Sequence, residues 1–260
     1  MLRGLLSAIG VYSLYHRWLH MQIDPDRLPE HIGVILDGNR RWASAREMIP
    51  WEGHRLGAEK VKKFLEWALD LGIKTVTLYA FSTENFNRSE EEVQELMRIY
   101  EENLKEVLKA DVIHEHQVRI NAIGRIGLLP ERLRQLVAEV EDATKDYDRF
   151  YLNIALAYGG RAEIVDATKE IANKVKKGEL EPGDIDEGLI EEHLYTSYLP
   201  QQDPDLIIRT SGESRLSNFL IWQSAYSELF IVDVYWPDFR LIDFERAIRA
   251  YQSRYRRYGK

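Results

Sequence analysis

The sequence predicts an α/β fold: a mainly parallel central sheet flanked by helices in Rossmann-like layering, with an extra amphipathic helix at the N-terminus. Three observations predict it. From residue 31 onward, short apolar or β-branched runs alternate with longer stretches at helical spacing. This is the pattern of strand–helix–strand units whose strands are buried on both faces. No repeat, low-complexity tract or long linker interrupts the alternation. The chain has 260 residues, 45% of them hydrophobic and 30% charged, which suits one folded domain with a substantial core.

The elements follow in order. Residues 1–23 contain Arg3 and Arg17 and no acid, with Leu2, Leu5, Leu6, Ile9 and Tyr12 at helical spacing and Trp18 and Leu19 beyond. The stretch between the arginines is too short to span a membrane. Two readings stay open for it: a helix packed on its own domain or a partner, and an interfacial helix lying on lipid. His31–Leu36 reads as a buried strand and Gly53–Leu71 as a helix; Lys74–Ala80 is β-branched and reads as a strand. Ser89 caps a long helix, and Glu92 three residues on predicts a capping box. Gln117–Ile123 and Phe150–Leu156 read as strands. Helices are predicted from Pro130 and over Ala162–Val175, Asp186–Tyr195 and Leu241–Tyr255. Asp205–Ile208 and Leu229–Val232 complete the strands, the first running into Arg209.

Composition narrows the function. There is no cysteine, which excludes disulfides and thiolate metal sites and favours a cytoplasmic location. A formal net charge of −8 argues against nucleic acid as a partner.

In parallel sheets, ligands bind beyond the carboxyl ends of strands. Three such ends carry anion-binding chemistry. After the first strand come Asp37, Gly38, Asn39, Arg40, Arg41 and Trp42. A carboxylate there suits Mg²⁺ shared with substrate phosphates, glycine allows close backbone approach, and the arginines match phosphate oxygens. An Asp that only caps a helix beside solvated arginines is the plain alternative. After the second strand, Phe81, Ser82, Asn85, Phe86 and Arg88 combine rings with polar anchors, suiting a ligand with an apolar body and an anionic head. A polar loop with its rings in the core is the alternative. After the fifth strand, Arg209, Arg215 and Ser217 can wrap a second diphosphate. Three such loops in one domain point to two diphosphate ligands held side by side.

The strings HIGVILDGNRRWA, GHRLGAE, TVTLYAFSTENFNR, LAYGGRAEI, DLIIRTSGESRLSNFLIWQSAYSEL, VYWPDF and RRYGK resemble the cis-prenyltransferases over about residues 29 to 259. These are the undecaprenyl and dehydrodolichyl diphosphate synthases. The resemblance implies condensation of isopentenyl diphosphate onto an allylic diphosphate, farnesyl or geranylgeranyl, to give a long-chain polyprenyl diphosphate for a lipid carrier. It implies Mg²⁺ at Asp37, with Glu228 as a second acidic ligand, supplied within the chain or across a homodimer interface. Gly38, Asn39, Arg40, Arg41, Trp42 and His54 would surround the allylic diphosphate. Phe81, Ser82, Phe86 and Arg88 would order the reacting region. Asn85 would be catalytic, needing a relay to take the proton that a substrate phosphate oxygen could take instead. Arg209, Arg215 and Ser217 would hold isopentenyl diphosphate, completed by Arg257 and Gly259 of a neighbouring subunit. Residues 24–260 would form the catalytic domain and 1–23 the amphipathic leader, giving a cytoplasmic protein with peripheral membrane contact through residues 1–22.

The chain departs from the family pattern at Phe86, often Trp, at Pro50, where Arg46 is the candidate replacement for a missing arginine, and at Arg125, where an Asp is common. A trans-type prenyl synthase is disfavoured, because the chain has no paired DDxxD motifs and shows clear strands. A non-catalytic scaffold subunit would be expected to have lost Asp37, Arg209 or Arg215, and all three are present.

Overall fold

The computed structural model describes the chain from residue 11 to residue 254. Six strands form one all-parallel sheet in the order β3-β4-β2-β1-β5-β6. They are β1 (His31–Ile35), β2 (Thr75–Ser82), β3 (Val118–Ile123), β4 (Phe150–Tyr158), β5 (Leu206–Arg209) and β6 (Glu228–Ile231). The helices are α1 (Val11–His20), α2 (Asn39–Ser44), α3 (Pro50–Leu71), α4 (Glu90–Val107), α5 (Asp111–Glu115), α6 (Glu131–Thr144), α7 (Gly160–Lys176), α8 (Glu187–Glu191) and α9 (Leu241–Ser253). From β1 the chain adds β2 beside it, places β3 at the far edge and inserts β4 between them, then crosses back to set β5 on the other side of β1. That reversal opens a crevice at the carboxyl end of β1.

The two faces of the sheet differ chemically. The front face presents Ile32, Val34, Val76, Leu78, Ile120, Leu152 and Ile208 to residues of α3, α4, α6 and α9. Phe64 of α3 packs edge-on against Trp236, Phe239 and Phe244. The back face carries a directed chain of buried hydrogen bonds. Tyr198 Oη donates to Asn153 Oδ1. Asn153 Nδ2 donates to Thr77 Oγ1 at 2.8 Å, which lies 2.7 Å from His31 Nε2, and His31 Nδ1 lies 3.1 Å from the Gln201 carbonyl. The β3 edge is covered by α6: Thr144 Oγ1 accepts from Ile120 N and Glu141 Oε1 from Ala122 N. An otherwise open ladder is thereby closed to other strands.

Every predicted strand and helix from residue 31 onward is present, with shifted ends. Helix α3 begins at Pro50, whose missing N–H costs nothing in a first turn. Helix α8 stops at Glu191 rather than Tyr195; Tyr195 N donates to Glu163 Oε1 at 2.9 Å and is unavailable to the helix. Only half of the predicted capping box forms. Ser89 Oγ accepts from Glu92 N at 3.3 Å, but the Glu92 carboxylate turns instead to His54 and Arg88. Arg125 finds its account here. It forms a two-pronged bond to Asp166 of α7 at 2.8 and 2.9 Å, and Tyr195 Oη donates to the same carboxylate.

Helix α1 packs on α9. Leu19 is fully buried, His16 and His20 meet the buried Glu245 at 3.3 and 2.9 Å, and Arg246 and Arg249 lie over the rings of Tyr15 and Trp18. Leu14, Trp18 and Met21 stay exposed. The intramolecular packing reading of the leader therefore holds for these residues, with an apolar edge left over. No helix among the described residues is long and apolar enough to cross a membrane.

Candidate active site

The three predicted loops converge at the carboxyl ends of β1, β2 and β5. Strand β1 ends beside β5, with Ile35 in register with Arg209, so Asp37 emerges next to that guanidinium. Arg209 Nη2 donates to Asp37 Oδ2 at 2.8 Å, and Arg41 Nη2 lies 3.3 Å from Oδ1. Burial pushes the Asp37 carboxyl up. The hydrogen bond and charge of Arg209, with the charge of Arg41, outweigh it and hold the pKa below the ordinary carboxylate value. The Asp37 main chain is fixed too: its carbonyl accepts from Thr210 Oγ1 at 2.7 Å and from Trp236 N at 3.1 Å.

Gly38 turns the chain into α2 with φ of +103°, a conformation L side chains rarely adopt. A Cβ there would also lie 2.7 Å from the Tyr235 ring. The first N–H groups of α2 have no acceptor within the helix, and Gly38 to Arg41 line the adjoining cleft. Helix α3 seats α2 from below. A Cβ on Gly53 would meet Asn39 O at 2.1 Å, and one on Gly57 would meet Asn39 Oδ1 at 2.5 Å. Among the described residues, Asn39 Oδ1 is a buried atom with no hydrogen-bond partner.

Two cavities share this corner, with Leu36, Asp37, Asn39, His54 and Arg88 on the wall of both. A cleft of about 530 Å³ is lined by Asp37 to Arg41, Ser44, Pro50, His54 and Arg88. A larger cavity of about 950 Å³ starts at Asp37, Arg88, Arg209, Arg215 and Ser217 and runs between α3, α4 and the front of the sheet. Its inner walls are apolar, with Val61, Leu65, Leu96, Ile99, Leu104 and Ile154 among them.

Arg209 is almost fully buried, and its Nη1 donates to Ser217 Oγ at 2.8 Å and to the Arg215 carbonyl. Arg215 reaches the cavity wall and pairs with Glu213, which also holds Arg41 at 3.2 Å. On the other side, His54 Nε2 lies 3.3 Å from Glu92 Oε1, and Arg88 Nη1 donates to the same oxygen at 2.9 Å. Burial lowers the His54 pKa, the charges of Arg88 and Arg40 add to this, and Glu92 opposes it. The hydrogen bond from His54 and the charges of Arg88 and Arg40 hold the Glu92 carboxyl low.

Some expected residues are not brought together. Phe81 and Phe86 stack edge-on behind the loop at 4.8 Å and do not line either cavity, so their rings serve the core. Ser82 and Asn85 do line it, and Asn85 Oδ1 accepts from Ser82 N at 3.0 Å. Trp42 stacks beneath Arg46, 4.0 Å from ring centroid to guanidinium, outside both cavity walls. Arg46 also pairs with Asp238 at 3.1 Å and lines neither cavity. Glu228 opens β6 in register with Leu206, at the amino end of the sheet, and its carboxylate pairs with Arg254. Asp37 and Glu228 of one chain therefore do not meet. Arg257 and Gly259 lie outside the described residues.

Sequence reasoning missed Glu92 and Glu84. The signal for Glu92 was its position four residues after Arg88 on a helix, a spacing that brings side chains together as well as completing a cap. Among the described residues, no cluster of three or more His, Cys, Asp or Glu is placed to hold a metal. Asp37 is a carboxylate at the strand-end corner of the cavity, whose wall also carries Glu84, and Mg²⁺ commonly needs only one or two carboxylates when substrate phosphates supply the rest.

The family model for undecaprenyl diphosphate synthase matches residues 35–259. The chain is 56% identical over 255 residues to a tritrans,polycis-undecaprenyl-diphosphate synthase (geranylgeranyl-diphosphate specific) of Methanocaldococcus jannaschii, covering 98% of this chain and 91% of the relative. It is 50% identical to the enzyme of the same description from Pyrococcus abyssi, over the full length of both. The crystal structure of lavandulyl diphosphate synthase from Lavandula x intermedia, in complex with dimethylallyl diphosphate, superposes with a TM-score of 0.87 at 40% identity, covering 90% of this chain and all of that one. A paired-arginine carboxylate at a strand end, a long apolar cavity behind it and these matches lead to one conclusion: the chain belongs to the undecaprenyl diphosphate synthase family of cis-prenyltransferases.

Proposed function

We propose that the chain condenses isopentenyl diphosphate repeatedly onto geranylgeranyl diphosphate, forming cis double bonds and giving a long-chain polyprenyl diphosphate for a lipid carrier. The observation that carries this reading is the lining of the larger cavity: arginines stand at its strand-end corner and apolar side chains line the rest. A ligand with an anionic head and a growing hydrocarbon body fits that shape. The primer is taken from the archaeal relatives, whose names specify geranylgeranyl diphosphate.

In this reading the α2 backbone with Arg40, Arg41, His54 and Arg88 binds the allylic diphosphate. Arg209, Arg215 and Ser217 bind isopentenyl diphosphate. The cations stabilise charge as it develops on the departing diphosphate, where a preorganised donor has its largest effect. Asp37 would hold Mg²⁺ together with diphosphate oxygens, and the ion would supply Lewis-acid neutralisation of the leaving group. After the isopentenyl double bond attacks, the resulting cation loses a proton, either to a diphosphate oxygen or through a relay ordered by Asn85. Residues 24–260 act as the catalytic unit. The chain works as a homodimer in which Glu228 and the tail arginine complete the neighbour's site; the separation of Glu228 from Asp37 within one chain supports this. Residues 1–22 touch the cytoplasmic face of the membrane.

The test is incorporation of labelled isopentenyl diphosphate by the purified chain, with Mg²⁺ and either geranylgeranyl or farnesyl diphosphate, followed by chromatography of the products. A ladder of long products, favoured by geranylgeranyl diphosphate and abolished by EDTA, is expected. No incorporation with any allylic primer would overturn the reading.

A further inference from the structure

The loops after β2 and β5 are bridged by the side chain of Asn218. Asn218 adopts a left-handed backbone conformation, φ +67°, directly after Ser217 at +50°. It is held on three sides. Its carbonyl accepts from Gly160 N at 2.7 Å, and its Oδ1 accepts from Arg161 N at 2.9 Å. Its Nδ2 donates to Glu84 Oε1 at 3.0 Å. Gly159 makes room for the amide: a Cβ there would sit 2.6 Å from Asn218 Nδ2. Glu84 in turn lies within the second loop, next to Asn85, and accepts from Thr83 Oγ1 at 3.2 Å through its other oxygen. Both Glu84 and Asn218 line the large cavity.

The loop ending at Asn218 is strained and is held in place by side-chain contacts from both of its sides. Ser211, Ser217 and Asn218 take positive φ, conformations that cost energy in non-glycine residues and persist only when neighbours hold them. Ser217 is the residue that meets Arg209, and its carbonyl is tied to Tyr79 Oη at 3.1 Å. Moving Asn218 therefore moves Ser217 and, through it, the buried guanidinium. Ser82, Asn85 and Arg88 stand on the other side of the Glu84 contact.

We infer that the Glu84–Asn218 contact is a latch that sets the spacing between the allylic and isopentenyl diphosphate sites, making both residues positioning residues for the condensation. This rests on the proposed function and adds a residue pair to it. The reacting carbons must be held within a narrow distance, and small misplacements are expensive in rate. A latch that spans both loops would weaken the second substrate's use as much as its binding.

The contact is polar and directional, so it can be exchanged. Asn218→Asp keeps the acceptor toward Arg161 but sets a carboxylate against Glu84. Adding Glu84→Gln restores a donor across the gap. Glu84→Ala removes the partner and leaves every backbone contact of Asn218 intact. We expect Asn218→Asp and Glu84→Ala each to lower kcat/KM for isopentenyl diphosphate about tenfold, the loss of one hydrogen bond to a charged group. The exchanged pair Asn218→Asp with Glu84→Gln should recover to within about threefold of the wild type, since the interaction energy belongs to the pair. The primer's KM should change less than that of isopentenyl diphosphate. Thermal unfolding of each variant serves as the fold control. If the wild type incorporates isopentenyl diphosphate but Glu84→Ala keeps full kcat/KM, or if a folded exchanged pair is no better than Asn218→Asp, the latch is overturned and the proposed function stands. If the wild type incorporates none, the function reading falls and the latch with it.

Discussion

Asp37 and Arg209 hold each other in place, which changes what a substitution at Asp37 should do. From sequence, Asp37 reads as a metal ligand whose removal spares the fold. In the structure it also neutralises a guanidinium that is almost fully buried. Asp37→Ala should therefore abolish turnover and lower stability by about 3 kcal/mol, the cost of leaving a buried charge without its partner. Urea unfolding at neutral pH checks the second part; an unchanged midpoint would show that Arg209 is satisfied without Asp37. A second residue with a measurable signature is His31. Burial lowers its pKa from the ordinary 6.5 to about 4, against the charge of Asp205 and the carbonyl of Gln201, which raise it. The group is neutral in the fold, so between these values the unfolded chain binds more protons. Its contribution is complete above pH 6.5 and is lost as pH falls toward 4, by an amount on the order of 3 kcal/mol. Replacing His31 by Gln should flatten the stability–pH slope in that window. Asp37, Arg209 and Ser217 were legible in sequence because strand ends announce themselves. His31 was not, since its partner Thr77, and Asn153 behind that, come from strands distant in the chain.

Elements were easier to read than their ends or their partners. The periodicity of α3 identified its apolar face, but only the structure divides that face between two jobs. Val61 and Leu65 line the cavity, with Leu96 and Tyr100 of α4 opposite, whereas Phe64 and Met97 pack in the core. The spacing is the same for both sets; what separates them is which neighbouring element is present. The glycines of α3 matter in a way composition hides. Gly53→Ala puts a methyl group against the backbone of Asn39, so α2 must shift. We expect destabilisation of about 1–3 kcal/mol from overpacking, and a rise in KM for the allylic primer larger than that for isopentenyl diphosphate. Equal changes in both would place the effect outside α2. For α1, the contacts with α9 and the exposed edge of Leu14, Trp18 and Met21 make separate predictions. Deleting residues 1–22 should lower the melting temperature, because Leu19 and both histidines leave Glu245 uncovered. It should also reduce binding to anionic lipid vesicles while activity in detergent is largely retained. Unchanged vesicle binding would make the helix a packing element alone.

At the scale of the whole molecule, the walls of the large cavity are built to different mechanical standards. Behind it stands a six-stranded parallel sheet, stiffened on its far face by the hydrogen bonds from Tyr198 to His31. In front of it stand α3 and α4, joined at the solvent side by Arg55–Glu95, Arg55–Glu102 and Lys62–Glu106 ion pairs. Exposed pairs of this kind contribute little and weaken further in salt. The back wall is a continuous hydrogen-bonded ladder and the front wall is held by side-chain packing, so we expect α4 to yield more readily than the sheet. A hydrocarbon chain lengthening inside it would push α4 outward and leave the diphosphate corner, anchored to strand ends, where it was. Growth at one end and yielding at the other would let the same reactive geometry recur at every cycle while the volume behind it increases.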